Sequence, residues 1–261
     1  MFKEYIPYTR CPLCSGVRWG IKKRADCSKY PHFRPPLSPV LEWVECESCG
    51  HVFRPEFYTK EAWDVLCERS HPTQRVGVDL ELHRSVWSRV IDKVLPYQQS
   101  GVWLDVGFGS GALLITAVEY GFRGVGIDLR QANVDELNAF GIEAFRRDIT
   151  AIQVQPLASV ISLCDVLEHV QFPIEALDAA SRNLITGGVL VVSMPNKDSP
   201  VWGWLDNKNQ NPYWQEMEHF HNFGRDSLYK ALTQTGFRPV RFGISERYRV
   251  CMEVIAVKGI T

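Results

Sequence analysis

Residues 104–111 read Leu104-Asp105-Val106-Gly107-Phe108-Gly109-Ser110-Gly111, and this stretch decides the fold. It follows an apolar run and precedes a helical pattern, so its glycines fall at a strand-to-helix turn. Glycine lets the backbone turn sharply there and approach a ligand without an obstructing Cβ atom. Gly107, Gly109 and Ala112 also satisfy the G-x-G-x-x-G/A pattern of NAD-binding folds. The loop therefore predicts a ligand-binding α/β fold and leaves the cofactor open.

Short apolar runs alternate with helical stretches from Val102 onward, which is the pattern of βαβ units and a parallel sheet. Strands are predicted at residues 102–106, 124–128, 144–146, 159–163, 189–194, 240–244 and 250–257. Helices are predicted at residues 112–120, 131–140, 173–184 and 227–235. Asp226 is the expected N-cap of the last helix and Gly236 lies just past its end. We predict a Rossmann-like, mostly parallel seven-stranded sheet that ends in a C-terminal antiparallel hairpin.

The chain divides into three zones by pattern. Residues 1–57 carry two CxxC pairs, and residues 58–98 carry an apolar helical stripe that ends at Pro96. Residues 99–261 hold the α/β pattern, which residues 196–223 interrupt. The sequence thus predicts a small N-terminal module, a helical connector, and an α/β domain with an inserted lid.

Bulk composition limits the possible partners. The 261 residues carry a formal net charge of −1, so no global basic field favours a large nucleic acid or a membrane surface. The first residues lack the apolar core of a signal peptide, and no run approaches the roughly 18 apolar residues that span a bilayer. We therefore expect a cytoplasmic protein whose eight cysteines stay reduced.

Two acids sharpen the interpretation of the glycine loop. Asp128 closes the second predicted strand, where a carboxylate can accept hydrogen bonds from both hydroxyls of a ribose. Asp148 follows the third strand and can accept from an adenine amino group. The ordered pieces LDVGFGSG, GVGIDL, RRDI and LCDVLEHV, then Gly187-Gly188 before a strand, resemble class I S-adenosylmethionine-dependent methyltransferases. DVLEHV is similar to the ubiquinone-biosynthesis O-methyltransferase group and its small-molecule relatives.

The resemblance implies S-adenosylmethionine as cofactor. The glycine loop would wrap its methionine part, Asp105 would hold the amino group, Asp128 the ribose, and Asp148 and Ile149 the adenine. The expected cofactor-binding residues are Asp105, Gly107, Phe108, Gly109, Gly111, Asp128, Leu129, Asp148, Ile149 and Cys164. Phe108 stands where the family often has a small residue and could pack on cofactor or acceptor. NAD binding and an α/β turn without a ligand are the alternatives; Glu168-His169 and the terminal hairpin favour the methyltransferase.

Two cysteine pairs predict a metal site in the N-terminal zone. Cys11 and Cys14 form one CxxC knuckle, Cys46 and Cys49 form another, and 31 residues separate the two knuckles. Four thiolates at these spacings suit a closed, structural Zn²⁺ site in a zinc-ribbon-like module. A redox dithiol and a chance occurrence of the two pairs are the alternatives. The remaining cysteines are interpreted as buried thiols, with Cys27 as a possible spare ligand: Cys27, Cys67, Cys164 and Cys251.

Three histidines are candidates for proton removal from an acceptor. His169 lies just beyond the fourth predicted strand, at the sheet edge where ligands bind. His219 and His221 have period-two spacing in an aromatic segment, so an extended chain would turn them the same way. Each could instead hydrogen-bond a loop or line a lid. A further alternative is a divalent-ion site of Asp165, Glu168 and His169.

The leading hypothesis is methyl transfer to a small-molecule acceptor, with oxygen favoured over carbon or nitrogen. One alternative is an RNA methyltransferase that uses the zinc module for docking. Another is a non-catalytic zinc-ribbon interaction protein. The sequence leaves the acceptor and the oligomeric state open.

Overall fold

The computed structural model describes residues 3–67, 74–248 and 250–259. The β-strands are β1 (Tyr5–Pro7), β2 (Trp19–Asp26), β3 (Val40–Cys46), β4 (Val52–Phe53), β5 (Glu56–Tyr58), β6 (Gly101–Val106), β7 (Phe122–Asp128), β8 (Glu143–Arg146), β9 (Ala158–Cys164), β10 (Leu184–Pro195), β11 (His221–Asn222), β12 (Phe237–Ile244) and β13 (Cys251–Lys258). The α-helices are α1 (Lys60–Cys67), α2 (Leu80–Val94), α3 (Ala112–Glu119), α4 (Gln131–Ala139), α5 (Pro173–Asn183), α6 (Pro200–Asn207) and α7 (Arg225–Gln234).

The chain forms two compact units that interleave along the sequence. Unit 1 comprises Met1–Pro72, Glu168–Pro173 and Pro195–Leu228. Unit 2 comprises Thr73–Leu167, Ile174–Met194 and Tyr229–Thr261. Residues 196–223, expected as an insertion in the α/β domain, thus belong to the same unit as the cysteine pairs. The zones read from the sequence were consecutive, whereas the observed units exchange segments.

Unit 2 is built on one seven-stranded sheet with the order β12-β13-β10-β9-β6-β7-β8. Neighbours from β10 to β8 run parallel, and β12 and β13 form an antiparallel hairpin. The predicted α/β fold, its seven strands and its terminal hairpin are confirmed. β10 begins five residues earlier than predicted, because Leu184 already pairs with Ala158 before the register shifts ahead of Val189.

Helices complete the core of unit 2. The stripe on α2 buries Trp87, Val90, Ile91 and Val94, as the periodicity predicts, whereas Leu82 is 68% exposed. α7 begins at Arg225, so Asp226 lies in its first turn and is not the N-cap. The Ser227 hydroxyl and Gly224 backbone hydrogen-bond each other at this end instead. Gly236 follows the helix with a φ of 84°, as expected of a C-terminal glycine.

Unit 1 contains a four-stranded sheet in the order β11-β4-β3-β2. β11 comes from residues 196–223 and pairs antiparallel with β4, with His221 opposite Phe53. This pairing explains why the segment breaks the βα alternation. Arg54 is 1% exposed, and its guanidinium lies 4.4 Å from the ring centroid of Tyr58. Across the described parts of both units, no helix has the length and apolarity needed to cross a bilayer.

Candidate functional site

The glycine loop of unit 2 adopts a backbone that other residues rarely take. Gly107, Gly109 and Gly111 have φ values of 65°, 56° and 72°, all in the left-handed region. A Cβ atom at Gly107 would lie 2.9 Å from Cγ2 of Val166. The Gly107 amide donates to the Ile127 carbonyl at 2.7 Å, which ties the loop to β7. The loop therefore presents bare backbone at the carboxyl ends of adjacent parallel strands.

Asp128 lies beside this loop at the end of β7 and is 5% exposed. Its Oδ2 accepts from the Gly109 amide at 3.3 Å. Arg130 donates to both carboxylate oxygens, from Nε at 3.0 Å and from Nη2 at 2.9 Å. Sequence reasoning identified Asp128 but missed Arg130, which stands two residues further on. The pair fixes the orientation of a carboxylate next to the loop.

Asp105 is buried at the end of β6, with 4% exposure. Its Oδ1 accepts a short hydrogen bond from the Ser162 hydroxyl on β9. Burial raises the pKa of Asp105 to about 7, although the Ser162 bond and the charge of Arg247 act to lower it. Ser162, which sequence reasoning missed, also accepts from Trp103 Nε1 at 3.0 Å. Asp105 is thus a carboxyl group whose charge changes near neutrality.

The Phe108 side chain is buried within unit 2. Its side chain is 6% exposed and belongs to the hydrophobic core of unit 2. A Cβ atom at Gly126 would lie 2.7 Å from Cδ1 of Phe108, so this glycine makes room for the ring. The ring of Phe108 thus packs against β7, and its contact with a cofactor or an acceptor stays a prediction.

The other expected cofactor residues lie at the same edge with different exposures. Asp148 is exposed, and its Oδ1 accepts from the Thr150 amide at 2.8 Å. Ile149 is 2% exposed, and Leu129 is 52% exposed. Cys164 is half-buried, and its surroundings raise the pKa of its thiol well above the ordinary value, chiefly through desolvation. The Leu129 side chain is thus accessible from solvent, whereas the Ile149 side chain is packed in the interior.

The four predicted metal-ligating cysteines meet in unit 1. Cys11 Sγ lies 3.8 Å from Cys49 Sγ, and Cys14 Sγ lies 3.6 Å from Cys46 Sγ. All four sulfurs lie within 4.8 Å of one another. Gly16, which sequence reasoning passed over, permits this convergence, because a Cβ there would lie 3.2 Å from the Cys46 sulfur. The sulfurs thus have the spacing that one tetrahedral ion requires.

Cys27 is not part of this cluster. It is fully buried, and its thiol donates to the Ala25 carbonyl at 3.8 Å. Cys251 is also buried, and Cys67 lies at the end of α1. Cys27 therefore behaves as a packed thiol bonded within its own turn.

His169 and His219 lie together in unit 1. Their ring centroids are 4.5 Å apart with the planes nearly perpendicular. His169 Nδ1 lies 3.1 Å from the Glu218 carbonyl, and His219 Nε2 lies 3.0 Å from Oε2 of Glu216. Burial lowers the pKa of His219, but the carboxylates of Glu216, Glu168 and Glu218 together outweigh it and raise the pKa to about 9. Glu216 is a partner that the sequence did not suggest.

His221 has a different environment from His219, despite the period-two spacing. Its Nδ1 lies 3.1 Å from Nε2 of His51, and its Nε2 lies 2.9 Å from the Val170 carbonyl. His221 is 1% exposed and His51 is 0% exposed, so both rings are buried. Burial lowers the pKa of His221 to about 3. Both ring nitrogens of His221 are therefore committed to internal hydrogen bonds in a neutral pair.

Asp165 follows β9 directly and has a left-handed conformation with a φ of 55°. Its Oδ2 accepts from Arg247 Nη1 at 2.8 Å. The Arg247 guanidinium also lies 5.2 Å from the ring centroid of Trp87. Asp165 is not among the residues whose ligand atoms converge with Glu168 and His169; His219 is the third member of that group.

Comparison with protein families decides the class of the chain. A family model described as a methyltransferase domain matches residues 80–241, which is more than half of the sequence. The chain belongs to this methyltransferase family. The predicted enzyme class is therefore confirmed.

One curated protein similar to this methyltransferase is the ubiquinone biosynthesis O-methyltransferase of Idiomarina loihiensis. The two are 29% identical over 107 residues, which is 38% of this chain and 44% of that protein. The chain thus matches less than half the length of this curated relative, and the similarity is confined to part of both sequences.

Solved structures share the fold of this methyltransferase. Magnesium protoporphyrin IX methyltransferase from Synechocystis superposes with a TM-score of 0.56 and 17% identity, over 69% of this chain and 86% of that one. An S-adenosylmethionine-dependent methyltransferase from Clostridium acetobutylicum gives 0.53 and 12% identity, over 68% and 92%. At these identities the comparison establishes the fold alone.

Proposed function

We propose that this methyltransferase transfers the methyl group of S-adenosylmethionine to a small-molecule acceptor, with oxygen as the favoured acceptor atom and carbon or nitrogen as alternatives. One observation carries the proposal: the Gly109 amide and the Asp128 carboxylate are hydrogen-bonded at 3.3 Å beside an open glycine loop. That arrangement offers backbone amides and a fixed carboxylate to a ligand that has both an anionic and a hydroxyl-bearing part.

The residues present fit the cofactor. Bare backbone at Gly107 and Gly109 allows close approach, since a Cβ at Gly109 would meet its nearest neighbour, Gln74, only at 3.6 Å. Asp128 would accept from the ribose hydroxyls, and the ionised form of Asp105 would attract the ammonium group. Ile149 and Leu129 would give the adenine an apolar wall. When bound, the cofactor supplies an electrophilic methyl group on a sulfonium.

The acceptor class rests on partial similarity. The curated relative is named as an O-methyltransferase of ubiquinone biosynthesis, and its match supports a small molecule with an oxygen nucleophile. A net charge of −1 gives no general attraction for RNA. Of the three predicted histidines, His221 is the least suited to proton removal, because both of its ring nitrogens are hydrogen-bonded.

We also propose a structural Zn²⁺ bound by Cys11, Cys14, Cys46 and Cys49. The sulfur pairs Cys11–Cys49 and Cys14–Cys46 each join one knuckle to the other, at 3.8 Å and 3.6 Å, and all four sulfurs converge, which suits one shared ion. Four thiolates leave no open coordination position, so this metal would stabilise unit 1 and take no part in methyl transfer.

Calorimetric titration with S-adenosylmethionine and S-adenosylhomocysteine tests the proposal. The zinc-loaded chain should bind both with micromolar affinity, and Asp128→Ala should weaken binding by about 10- to 150-fold, since hydrogen bonds to a charged group contribute roughly 1.5–3 kcal/mol. Asp92→Ala, which removes an exposed carboxylate from α2, is the matched control and should bind normally. Absence of binding by the folded wild-type protein would overturn the proposal. RNA binding with a steep salt dependence would overturn the small-molecule assignment.

A further inference from the structure

Three side chains of unit 1 bring potential metal-ligand atoms together. This group shares no residue with the cysteine cluster and offers nitrogen and oxygen atoms instead of sulfur. Glu168, His169 and His219 each offer one such atom, and these atoms lie within 4.8 Å of one another. Glu168 is 2% and His219 3% exposed, while His169 is half-buried. The Phe220 amide donates to the Glu168 carbonyl at 2.8 Å and holds the two contributing segments side by side.

The hydrogen bond of His169 fixes its tautomer. Its Nδ1 lies 3.1 Å from the Glu218 carbonyl oxygen, which can only accept. Nδ1 therefore carries the proton, and the lone pair is on Nε2. Histidines that bind metals characteristically donate their other ring N–H to a backbone carbonyl or carboxylate in this way.

His219 is oriented by a carboxylate. Its Nε2 donates to Oε2 of Glu216 at 3.0 Å. Its Nδ1 is buried and has no hydrogen-bond partner among the residues that the structure describes. An unsatisfied ring nitrogen in the interior is costly unless a ligand occupies the position it faces. The carboxylate–histidine pair is the second arrangement that metal-ligating imidazoles commonly show.

A protonated His219 is the competing explanation for this cluster. Burial lowers the pKa of His219, and the carboxylates of Glu216, Glu168 and Glu218 together raise it to about 9, so a proton can occupy Nδ1 when no cation is present. In that case the cluster would be a buried network of one imidazolium and its neighbouring carboxylates. Proton and cation would compete for the same nitrogen.

We propose that Glu168, His169 and His219 bind a divalent transition-metal ion. Two imidazoles and one carboxylate are the ligands of Zn²⁺, Fe²⁺ and similar ions, whereas Mg²⁺ and Ca²⁺ prefer oxygen alone. Three protein ligands leave coordination positions for water, in contrast to the closed four-cysteine site. His169 and His219 are thereby assigned to a cation and not to direct proton removal. This proposal rests neither on the proposed cofactor nor on the proposed cysteine zinc.

Cobalt provides a probe that separates the two metal sites. Co²⁺ is added to the full chain whose four-cysteine site already holds Zn²⁺, and binding is followed by visible absorption and equilibrium dialysis. We expect one equivalent of Co²⁺ with weak visible bands and no intense sulfur-to-cobalt charge-transfer absorption. His219→Gln and His169→Ala should abolish this equivalent. Glu216→Gln should weaken it by roughly 10- to 100-fold, because loss of an orienting partner has that effect.

Controls keep the result interpretable. His83→Gln changes a histidine on α2 outside the cluster and should leave cobalt binding unchanged. Retention of zinc and an unchanged melting temperature show that each variant is folded. If His219→Gln unfolds, His169→Ala alone tests the loss of cobalt binding, because His169 is only half-buried. No cobalt binding by the wild type, cobalt bound with charge-transfer bands, or undiminished binding by both histidine variants would each overturn the proposal and favour the imidazolium network.

Discussion

Ser162 donates its hydroxyl hydrogen to Oδ1 of Asp105 across two neighbouring strands of the buried sheet. The bond favours the ionised carboxylate and so opposes the effect of burial, which raises the pKa of Asp105 to about 7. The proposed cofactor carries an ammonium group that requires the charged form. A serine hydroxyl on β9 therefore influences the pH range in which a ligand at the end of β6 can be bound.

The first prediction concerns the pH dependence of cofactor binding. Affinity for S-adenosylhomocysteine should fall as the pH drops below about 7, because Asp105 becomes protonated. Ser162→Ala removes a bond to the charged form, so the midpoint of this loss should move to higher pH. Calorimetry across this range measures the midpoint. Ser159→Ala, which affects a hydroxyl bonded only to backbone carbonyls, is the control and should not shift it.

The second prediction concerns the effect of Asp105 on the free energy of unfolding, as distinct from its effect on cofactor binding. The folded-state pKa of Asp105 is raised from 3.8 to about 7, so the folded state binds the proton more tightly than the unfolded state does. Stability should therefore fall as the pH rises through this window. Asp105→Asn abolishes the ionisation and should increase the free energy of unfolding at about pH 8 by roughly 1–4 kcal/mol. Urea denaturation at acidic and alkaline pH tests this.

The same variant should bind the cofactor less tightly, because it lacks the carboxylate charge. Equal effects of Asp105→Asn on unfolding at both pH values would contradict the ionisation argument. A variant that is stabilised and still binds fully would contradict the assigned contact with the ammonium group.

The third prediction concerns the glycine loop. Gly107→Ala places a Cβ atom 2.9 Å from Val166 Cγ2 and at a φ of 65°. The strain should cost about 1–3 kcal/mol and reduce cofactor affinity as the loop shifts. Val166→Ala in addition should relieve the contact but not the backbone strain, so recovery should be partial. Gly20→Ala, where no atom lies within 4 Å, is the control; equal losses in both single variants would contradict the argument.

The fourth prediction concerns the cysteine metal. Cys14→Ser should reduce zinc from one equivalent per chain to a small fraction, and chelators should lower the melting temperature of the wild type. Cys27→Ala, which removes a thiol bonded within its own turn, should retain the metal. Elemental analysis with thermal denaturation measures both effects. Full zinc content in Cys14→Ser would show that the four sulfurs do not act together.

The sheet of unit 2 was predictable because its signals are local. Apolar runs, glycines and the acids Asp105 and Asp128 occur at strand ends, where residue type alone indicates the role. The hydrogen-bond partners of these side chains, in contrast, lie on segments distant in sequence. Ser162 meets Asp105 only because β9 lies beside β6, and no feature of its own sequence neighbourhood indicates that contact.

The candidate metal cluster also depends on a contact between distant segments, which local sequence does not indicate. Glu168 and His169 were recognised together, and Asp165 was their nearest acid in sequence. The structure instead brings His219, some fifty residues further along the chain, close to Glu168 and His169. Asp165 accepts a hydrogen bond from Arg247. Phe108 is similar, because only tertiary packing places its ring against Gly126.

β11 pairs with β4, and so joins His221 to Phe53. The sheet of unit 1 cannot be completed on the ribosome until most of the chain has been synthesised. A fragment that ends near residue 67 would expose the backbone donors and acceptors of β4, a free edge that other chains can extend. The long sequence separation also raises the contact order of unit 1, which slows its closure. We expect nascent or truncated chains to aggregate through this edge before the second segment arrives.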